Sequence, residues 1–590
     1  MERWSEARLL TCLLVFGVLV AAIPRSNAQN NPVPMINNPV VPSAAVPGGP
    51  GFTLTVNGTG FVSGSVVNWN GSPRATHFVN QSQVTASILS SDVARATTAS
   101  VTVTNPAPGG GTSNLSYFSV TLAKSTVPFS TTVTGVGGKG GGTIAFGDFN
   151  RDGKVDVAIL GDLKQTLVVL LGNGDGTFQR GIPVQLPHVP EFLVAADFNG
   201  DGNLDLAMSE LNTIGQVEVL LGNGDGTFQS AQSFTTGQGQ GSAIVAADLN
   251  ADGALDLIIA NQNNASISVL LGNGDGTFRN PVNTSVGSSP VFIGVGDFNN
   301  DGKLDLAVVD GSGFSVFILL GNGDGSFLLG PHFLTDQSPL WIATGDFNHD
   351  GKLDLAVVVD GRGNTGSVQV FLGNGDGTFQ DSSTYASGPF TYGQMVAADI
   401  NADGNLDLVV AIECLNTCTK WGVATLLGNE DGTFQPMHLT TTPAAPFYLG
   451  AADVNGDGSI DIVGSTPASG GGLLVMLQTP AIFAPGNLSF GATVVGTSGS
   501  PLTTTLTNVG AGPLVITGVS VGGANAGDFS QTNNCPSSLA QGASCAINVT
   551  FAPTATGTRT AVIRVGDSGA PKLSDVTLKG VGKAADSRPR

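Results

Sequence analysis

An acidic nine-residue motif could hold a metal ion, and its clearest copy is DFNNDGKLD at Asp297–Asp305. Oxygen-bearing side chains stand at positions 1, 3, 5 and 9, as Asp, Asn, Asp and Asp, and position 6 is Gly. Gly suits a sharp turn with positive φ. Position 7 varies among the copies, so we expect it to offer only its backbone carbonyl. About six to eight hard oxygens around one point favour Ca²⁺, whereas Mg²⁺ requires a tighter octahedron.

The motif occurs seven times, and successive copies start 49, 51, 49, 49, 53 and 54 residues apart. An EF-hand would carry Glu at position 12, but these copies carry Ile, Met, Val or Gly there. A polar turn without metal is the alternative, yet three Asp within nine residues would repel one another strongly unless a cation were bound. The predicted Ca²⁺ ligands are the side chains at positions 1, 3, 5 and 9 of each copy: Asp148, Asn150, Asp152, Asp156, Asp197, Asn199, Asp201, Asp205, Asp248, Asn250, Asp252, Asp256, Asp297, Asn299, Asp301, Asp305, Asp346, Asn348, Asp350, Asp354, Asp399, Asn401, Asp403, Asp407, Asp453, Asn455, Asp457 and Asp461.

Short apolar runs flank each acidic motif, as at 292–296 and 304–309. Both have the length and composition of strands, so the motif joins the two strands of a β-hairpin. A second motif follows each of the first six acidic motifs. It reads LLGNGDGTF at Leu170–Phe178, recurs in five identical or closely similar copies, and indicates another hairpin with a Gly-rich turn. We interpret Asp175 and its equivalents as turn formers rather than metal ligands. Each unit of about fifty residues therefore supplies four antiparallel strands, a spacing typical of β-propellers.

The two motifs together resemble the FG-GAP/VCBS repeats of integrin-α-like β-propellers, over residues 126–478. Seven acidic motifs but only six Gly-rich turns are present, so the last unit lacks its outer strand. The strand-like segment 126–135 precedes the first motif, and we expect it to complete the last unit so that no sheet edge stays open. The prediction is an all-β fold, a seven-bladed β-propeller flanked by two immunoglobulin-like β-sandwich domains.

The flanking segments carry short alternating strands with Gly and Asn turns, which are typical of β-sandwiches. Within residues 29–122, the run LTVNGTGF…SVVNWNG…ASVTVTNP resembles an IPT/TIG domain, and we expect Trp69 in its core. Residues 480–583 resemble the choice-of-anchor D family, another immunoglobulin-like domain of exported bacterial proteins. Residues 584–590 form a short tail.

The first residues predict export. The apolar run Leu9–Ala22 stands behind two arginines and before the small residues at 26–28. This order is typical of a secretory signal peptide, so we expect residues 1–28 to be cleaved. A membrane anchor is the alternative, but 14 apolar residues are short for a span. We therefore expect no transmembrane segment after signal cleavage.

Four cysteines remain after cleavage, in two close pairs: Cys414 with Cys418, and Cys535 with Cys545. An even number in an exported chain predicts two local disulfides. A thiol metal site is the alternative, although no His/Cys cluster accompanies these residues.

The formal net charge is −21. The seven acidic motifs, with three Asp each, supply 21 carboxylates, so most of the acidity belongs to these motifs. A nucleic-acid partner would favour a basic face, so we expect none. Because metal binding couples to folding, we expect the calcium-free protein to be less stable.

An irregular set of aromatic residues marks a possible ligand face. The residue five positions before the acidic motif is Phe192, Phe292, Trp341 or Tyr448 in four copies, and Trp421 follows the Cys414–Cys418 segment. Aromatic rings at a propeller mouth can stack on sugars or hold a peptide. The alternative is that these rings only pack between blades.

The five histidines stand at unrelated positions, and no zinc motif or phosphate loop occurs, so we do not expect an enzyme. The prediction is a calcium-binding recognition and adhesion protein, secreted or periplasmic or held at the cell surface, with an extracellular protein or glycan ligand. A glycan-binding lectin is one alternative. A polysaccharide lyase or hydrolase is another, because paired carboxylates could occur among so many Asp residues.

Overall fold

The computed structural model describes residues 31–36, 39–95, 97–107, 110–121, 124, 127–136, 141–161, 165–211, 215–237, 239–360, 366–388, 393–412, 421–457, 459–466, 472–509, 513–567 and 575–584. These residues form strands β1 to β47 and two short 3₁₀ helices, Gln262–Asn264 and Ala526–Asp528. The predicted all-β class is confirmed. The predicted signal peptide, the Cys414–Cys418 pair and residues 585–590 lie outside the described residues.

The N-terminal domain is built from two sheets. Their hydrogen-bonded orders are β1-β3-β7-β6 and β2-β10-β8-β4-β5, with β9 paired to β8. Trp69 is only 1% exposed and packs against Phe118, so it is a core residue as predicted. The strands are β1 (Met35–Ile36), β2 (Ala44–Ala45), β3 (Phe52–Thr59), β4 (Val66–Trp69), β5 (Ser72–Pro73), β6 (Ala75–Asn80), β7 (Gln83–Ile88), β8 (Thr97–Asn105), β9 (Gly111–Thr112) and β10 (Ser116–Val120).

The central region forms seven four-stranded antiparallel sheets within the described residues. We number them in chain order. Sheets 1 and 2 contain, in order, β12 (Ile144–Gly147), β13 (Asp156–Leu160), β14 (Thr166–Leu170) and β15 (Ile182–Gln185), then β16 (Pro190–Ala196), β17 (Asp205–Glu210), β18 (Gln216–Leu220) and β19 (Gln232–Thr235). Sheets 3 and 4 contain β20 (Gly241–Ala247), β21 (Asp256–Asn261), β22 (Ser266–Leu270) and β23 (Val282–Ser285), then β24 (Pro290–Gly296), β25 (Asp305–Asp310), β26 (Ser315–Gly321) and β27 (Phe327–Leu334). Sheets 5 and 6 contain β28 (Ser338–Gly345), β29 (Asp354–Asp360), β30 (Gly366–Phe371) and β31 (Ser383–Gly388), then β32 (Met395–Ala398), β33 (Asp407–Ile412), β34 (Gly422–Leu426) and β35 (His438–Thr441).

Sheet 7 combines the two ends of the central region. It contains β36 (Leu449–Ala452), β37 (Asp461–Thr466) and β38 (Gly472–Gln478), and its outer strand is β11 (Phe129–Gly135). Strand β11 lies within the segment 126–135 and pairs antiparallel with β38 along its whole length. The first and last strands of the region are therefore held by one hydrogen-bonded ladder.

The sheets follow one another around a ring. The first strand of each of sheets 1 to 6 packs against the first strand of the next sheet, and β36 packs against β12. The second strand of each sheet is covered on both faces, so every residue of β25 is buried. This explains why these strands read as continuous apolar runs rather than alternating ones.

The C-terminal domain is a second two-sheet sandwich, with strand orders β39-β41-β45-β43 and β40-β47-β46-β42-β44. Phe551, Ile547 and Ile563 lie at its centre and are fully buried. No helix among the described residues is long and apolar enough to span a membrane. The strands are β39 (Ala481–Ala484), β40 (Asn487–Val494), β41 (Leu502–Asn508), β42 (Leu514–Gly522), β43 (Phe529–Asn533), β44 (Ser538–Leu539), β45 (Ser544–Phe551), β46 (Gly557–Asp567) and β47 (Val576–Lys583).

Candidate functional site

Each acidic motif is the loop between the first and second strands of one sheet, so all seven lie on one side of the ring. We call these loops 1 to 7 and this side the loop face. The Asp at position 9 opens the second strand in every sheet and is fully buried. In loop 4, Asp305 Oδ2 accepts the N–H of Phe298 at 3.0 Å, and Oδ1 accepts the N–H of Gly321 at 2.8 Å.

The same pair of hydrogen bonds recurs in all seven sheets. One carboxylate oxygen accepts the N–H of the residue at position 2 of the loop. The other accepts an N–H at the end of the third strand, either from its last residue or from the second residue beyond it. The N–H donors to the position-9 Asp are Phe149 and Gly172, Phe198 and Gly222, Leu249 and Gly272, Phe298 and Gly321, Phe347 and Gly373, Ile400 and Gly428, and Val454 and Gln478.

The side chains at positions 1, 3 and 5 fold back over the loop backbone. In loop 4, Asp297 Oδ2 accepts the N–H of Gly302 at 2.9 Å, and Asp297 Oδ1 accepts that of Asp301 at 3.1 Å. Asn299 Oδ1 also accepts the Asp301 N–H at 2.9 Å, and Asp301 Oδ1 accepts the N–H of Lys303. These short-range bonds fix the oxygen-bearing side chains of one loop relative to one another.

The backbone of each loop has positive φ at position 4, which the sequence reasoning did not anticipate. The φ values there are 60° at Arg151, 71° at Gly200, 56° at Ala251, 56° at Asn300, 59° at His349, 58° at Ala402 and 71° at Gly456. A non-glycine residue in this region costs about 1 kcal/mol or more. The sequence did carry a signal for this conformation: position 4 is Gly in two copies and Asn in a third, and these residues tolerate the left-handed region best.

Burial makes the most deeply buried carboxylates of these loops hard to ionise. Desolvation, together with the charges of Asp297 and Asp301, raises the pKa of Asp305 to about 7. Desolvation likewise raises the pKa of Asp248 to about 7. Asp248 Oδ1 is buried and has no hydrogen-bond partner among the described residues. The loops therefore combine oxygen-only donors, negative charge and, in loop 3, an unsatisfied buried oxygen, and this set suits a hard cation.

The Gly-rich turns lie on the loop face and connect neighbouring sheets. Asp175 Oδ1 accepts the N–H and hydroxyl of Thr177 at 3.0 and 2.5 Å, so it forms the turn as predicted. The turn of one sheet then donates to position 2 of the preceding loop: the N–H of Gly226 lies 3.0 Å from the carbonyl of Phe149. Gly176 makes the equivalent bond to Val454 at 3.1 Å, which joins sheet 1 to loop 7.

The N-terminal domain docks on the loop face. Ser82 Oγ donates to Asp297 Oδ2 at 3.2 Å, and Ser43 Oγ donates to Asp399 Oδ2 at 3.0 Å. Both acceptors occupy position 1 of an acidic loop. The Asp248 N–H also lies 3.4 Å from Thr59 Oγ1. The acidic loops therefore hold a domain as well as their own hairpins.

A cleft of about 900 Å³ remains between the N-terminal domain and loops 1 and 2. Its lining combines the apolar or aromatic side chains of Tyr117, Phe146 and Leu193 with the charged groups of Arg151 and Lys154. Arg151 reaches across to loop 2, where its Nη2 donates to the carbonyl of Gly202 at 2.7 Å. Aromatic, apolar and charged groups in one cleft are typical of ligand sites.

Four of the five predicted aromatic ligand residues meet on the opposite side of the ring, which we call the far face. The ring centroids of Phe292 and Trp341 are 3.6 Å apart and stacked, and those of Phe192 and Tyr448 are 5.9 Å apart. Trp341 is 9% exposed, and the other three are half-buried. These rings pack against one another. Trp421 is half-buried directly before β34 and has no ring contact with them among the described residues.

A second group of donor side chains lies in sheet 2. His188 Nδ1 is 2.8 Å from Glu218 Oε1 and 2.9 Å from Glu210 Oε1. Burial and the neighbouring Glu210 raise the pKa of Glu218 to about 7, and the hydrogen bond that the His188 ring donates to Glu218 raises the pKa of His188. Sequence reasoning did not bring these residues together, because they lie in three separate segments.

Of the two predicted disulfides, Cys535–Cys545 is present and joins the segment after β43 to β45. Cys545 is buried in the core of the C-terminal domain. The ten-residue separation makes this a local cross-link.

The repeated sheets and acidic loops define an all-β repeat protein of the propeller type. Matching segments of the FG-GAP-like repeat family are residues 148–208, 197–259, 248–308, 297–357 and 357–410. Residues 35–120 match the IPT/TIG domain, and residues 482–581 match the HYDIN/CFA65/VesB-like, Ig-like domain. The chain thus carries FG-GAP-like repeats between an N-terminal IPT/TIG domain and a C-terminal Ig-like domain.

The solved structures that the chain matches share little sequence with it. A functionally unknown protein from Desulfotomaculum acetoxidans is 14% identical, with a TM-score of 0.37, over 62% of this chain and 95% of its own. An auxiliary nutrient binding protein from Bacteroides ovatus is 10% identical, with a TM-score of 0.32, over 76% of this chain and 98% of its own. No curated protein matches the chain.

Proposed function

We propose that this protein is an exported calcium-binding β-propeller of seven blades that recognises an extracellular ligand and acts in adhesion. Each acidic loop would hold one Ca²⁺ through its side chains at positions 1, 3, 5 and 9. When bound, the ion supplies positive charge that offsets the repulsion among the loop carboxylates. The observation that carries this proposal is the buried and unpartnered Oδ1 of Asp248, at position 1 of loop 3.

Within this proposal, the position-9 Asp holds the loop to its sheet, and the residues at positions 1 to 5 complete the oxygen set. The domain contacts of Ser43 and Ser82 to position-1 carboxylates extend this support to the N-terminal domain. Export to a secreted or periplasmic location is supported by the Cys535–Cys545 disulfide, since disulfides persist in oxidising compartments. The C-terminal domain would be a choice-of-anchor D module.

Removing calcium tests the metal part of the proposal. A ligand present at about 100 times its dissociation constant stabilises the folded state by roughly 2.7 kcal/mol per site. We therefore expect chelation to lower the melting temperature of the full chain by at least several degrees, and added Ca²⁺ to restore it. Mg²⁺ at the same concentration is the control and should restore little. An unchanged melting temperature after complete metal removal would contradict the proposal.

We further propose that the cleft beside loops 1 and 2 receives the ligand, because its aromatic, apolar and charged lining suits a glycan or an extended peptide. The test is a screen of immobilised glycans and extracellular proteins, with and without chelator. Arg151→Glu should weaken binding of any hit at least tenfold. Arg180→Glu is the matched control, because Arg180 is exposed and does not line the cleft.

The alternatives give different results in the same screen. A lectin would bind glycans alone, and a protein-binding adhesin would bind proteins alone. A polysaccharide lyase or hydrolase would release new unsaturated or reducing ends from a polysaccharide. Binding that is equal in Arg151→Glu and the unsubstituted protein would place the ligand elsewhere, and the aromatic cluster on the far face would be tested next.

A further inference from the structure

Sheet 2 carries three side chains that are suited to a transition metal, on the far face and away from the acidic loops. Glu210 is the last residue of β17, Glu218 lies on β18, and His188 lies in the connection that leads into β16. Met208 pairs with Glu218 across the two strands. Side chains two residues apart on one strand share a face, so Glu210 and Glu218 lie on the same side of the sheet.

The donor atoms of these residues are close enough to share one ion. One ligand atom from each of the three side chains lies within 4.8 Å of the others. His188 Nδ1 is 2.9 Å from Glu210 Oε1 and 2.8 Å from Glu218 Oε1. With metal–ligand bonds of about 2.1 Å in tetrahedral geometry, neighbouring ligand atoms around one ion are separated by about 3.4 Å, roughly half an ångström more than the present distances. A small adjustment would therefore place all three donors around one centre.

Burial leaves this cluster short of positive charge. The side chains of Glu210 and Glu218 are 0% and 1% exposed, and both carboxylates contact the same partly exposed imidazole. Glu218 Oε2 is buried and has no hydrogen-bond partner among the described residues. A desolvated carboxylate oxygen without a donor is costly. A bound cation would satisfy both carboxylates at once.

The cluster belongs to sheet 2 and not to the repeat. In the other six sheets, the residues that occupy the third-strand position of Glu218 carry no carboxylate, as the strand registers show: Val168, Ser268, Phe317, Gln369, Ala424 and Leu474. Neither the acidic loops nor the packing between sheets requires an acid at this position. An acid at the third-strand position of Glu218 is therefore specific to sheet 2, whereas sheet 4 also carries a buried acid, Asp310, at the position of Glu210.

We propose that His188, Glu210 and Glu218 bind one divalent transition-metal ion, with Zn²⁺ as its first candidate. An imidazole nitrogen favours zinc and its neighbours over Ca²⁺, which prefers oxygen ligands alone. Three protein ligands with a further position for water or a substrate group are typical of exchangeable zinc sites. His188 has 38% of its side chain exposed, so the ion can enter from that side.

The test uses the full-length protein in saturating Ca²⁺, which occupies oxygen-only sites. After dialysis against one equivalent of Zn²⁺, we expect about one bound zinc per chain. His188→Ala and Glu218→Gln should each weaken zinc binding by at least about tenfold. His438→Ala is the matched control, since it removes an exposed histidine from sheet 6, and it should bind zinc as the unsubstituted protein does.

Two results would overturn the proposal. One is the absence of bound zinc in the unsubstituted protein. It would mean that Glu210 and Glu218 are stabilised without a metal, by the imidazole of His188 and by a proton held between the two carboxylates. The other is equal zinc binding in His188→Ala, Glu218→Gln and the control. If both variants fail to fold, the zinc K-edge absorption spectrum of the unsubstituted protein decides. One nitrogen ligand from imidazole with oxygen ligands supports the site, and an all-oxygen shell contradicts it.

Discussion

At the ninth position of each acidic loop, one Asp joins two hairpins through its two oxygens. Asp305 binds the N–H of Phe298 within its own loop and that of Gly321 after the next hairpin. A side chain in this role does not need a metal to explain its burial. The side chains at positions 1, 3 and 5 differ, since they bind mainly N–H groups of their own loop, to which Ser82 and Ser43 add contacts at Asp297 and Asp399. The case for a cation therefore rests on the side chains at positions 1, 3 and 5, and above all on the buried Oδ1 of Asp248 at position 1 of loop 3.

Replacing the left-handed residue at position 4 should stabilise a loop. Ala251 has a φ of 56°, and Ala251→Gly removes the steric cost of that conformation. The gain is partly offset by the greater freedom of Gly in the unfolded chain, so we expect a net stabilisation of about 0.5 kcal/mol. The measurement is urea unfolding of both proteins in Ca²⁺.

Ala254→Gly is the control for this change, since Ala254 lies in the same loop and does not have positive φ. It removes the same methyl group and adds the same unfolded-state freedom. We expect it to destabilise the protein by about 1 kcal/mol. Equal effects of the two substitutions would show that the backbone conformation at Ala251 is not strained.

The N-terminal domain contains an ion pair with a clear pH dependence. Arg74 donates from Nη2 to Asp92 Oδ1 at 2.6 Å and from Nε to Oδ2 at 2.7 Å. This guanidinium holds the pKa of Asp92 below its ordinary value. A carboxyl group with a lowered pKa stabilises the fold at a pH above its unfolded pKa, and this contribution is lost as pH falls through the folded value.

We therefore expect Asp92→Asn to destabilise the N-terminal domain by about 2 kcal/mol at pH 7. The difference from the unsubstituted protein should shrink as pH falls below about 4. Urea midpoints at pH 7 and pH 3 measure it. A difference that does not change with pH would show that the side-chain shape, and not its charge, matters here.

Among the structural elements, β11 joins the start of the central region to its end. It pairs with β38 from Phe129 to Gly135 and forms the outer strand of sheet 7. The hydrogen bond from Gly176 to Val454 is a second connection across the same boundary. Closure therefore combines one strand ladder, one turn and the packing of β36 against β12.

Proline substitutions in β11 test this closure. Consecutive N–H groups of an edge strand point alternately toward and away from the neighbouring strand. One of Thr131→Pro and Thr132→Pro therefore removes a ladder bond, and the other is its matched control. We expect one variant to lose about 3 kcal/mol of stability and the other to lose clearly less. The free energy of unfolding in Ca²⁺ measures both, and equal small losses would show that β11 contributes little to closure.

For the molecule as a whole, the loop face is an interface between domains as well as a row of candidate ion sites. Lys124 lies in the connection between the N-terminal domain and the ring and is 8% exposed. Its Nζ donates to Ser459 Oγ at 2.8 Å and to Gln478 Oε1 at 2.7 Å. Burial lowers the pKa of this ammonium group, while the carboxylates of loops 6 and 7, Asp457 foremost, act in the opposite direction.

Lys124→Met keeps the apolar stem and removes the charge. The amide oxygen of Gln478 and the hydroxyl of Ser459 would each lose a buried donor, so we expect a destabilisation on the order of 2 kcal/mol. Thermal unfolding and protease cleavage in Ca²⁺ measure it. Lys583→Met, at an exposed position of β47, is the control and should change neither. Unchanged cleavage in Lys124→Met would show that the connection is held by other contacts.

The sequence determined the strands, the loops and the order of the domains, because the bonds that define them are local. Asp301 binds Lys303 two residues on, and Asp297 binds Gly302 five residues on, so spacing alone reveals these features. The tertiary structure alone decided that Phe192 meets Trp341, that Ser43 contacts Asp399, and that His188 lies beside two glutamates. Phe192 and Trp341 share one position of the repeat, but only ring closure brings them together, and no periodic pattern along the chain encodes the contacts of Ser43 and His188.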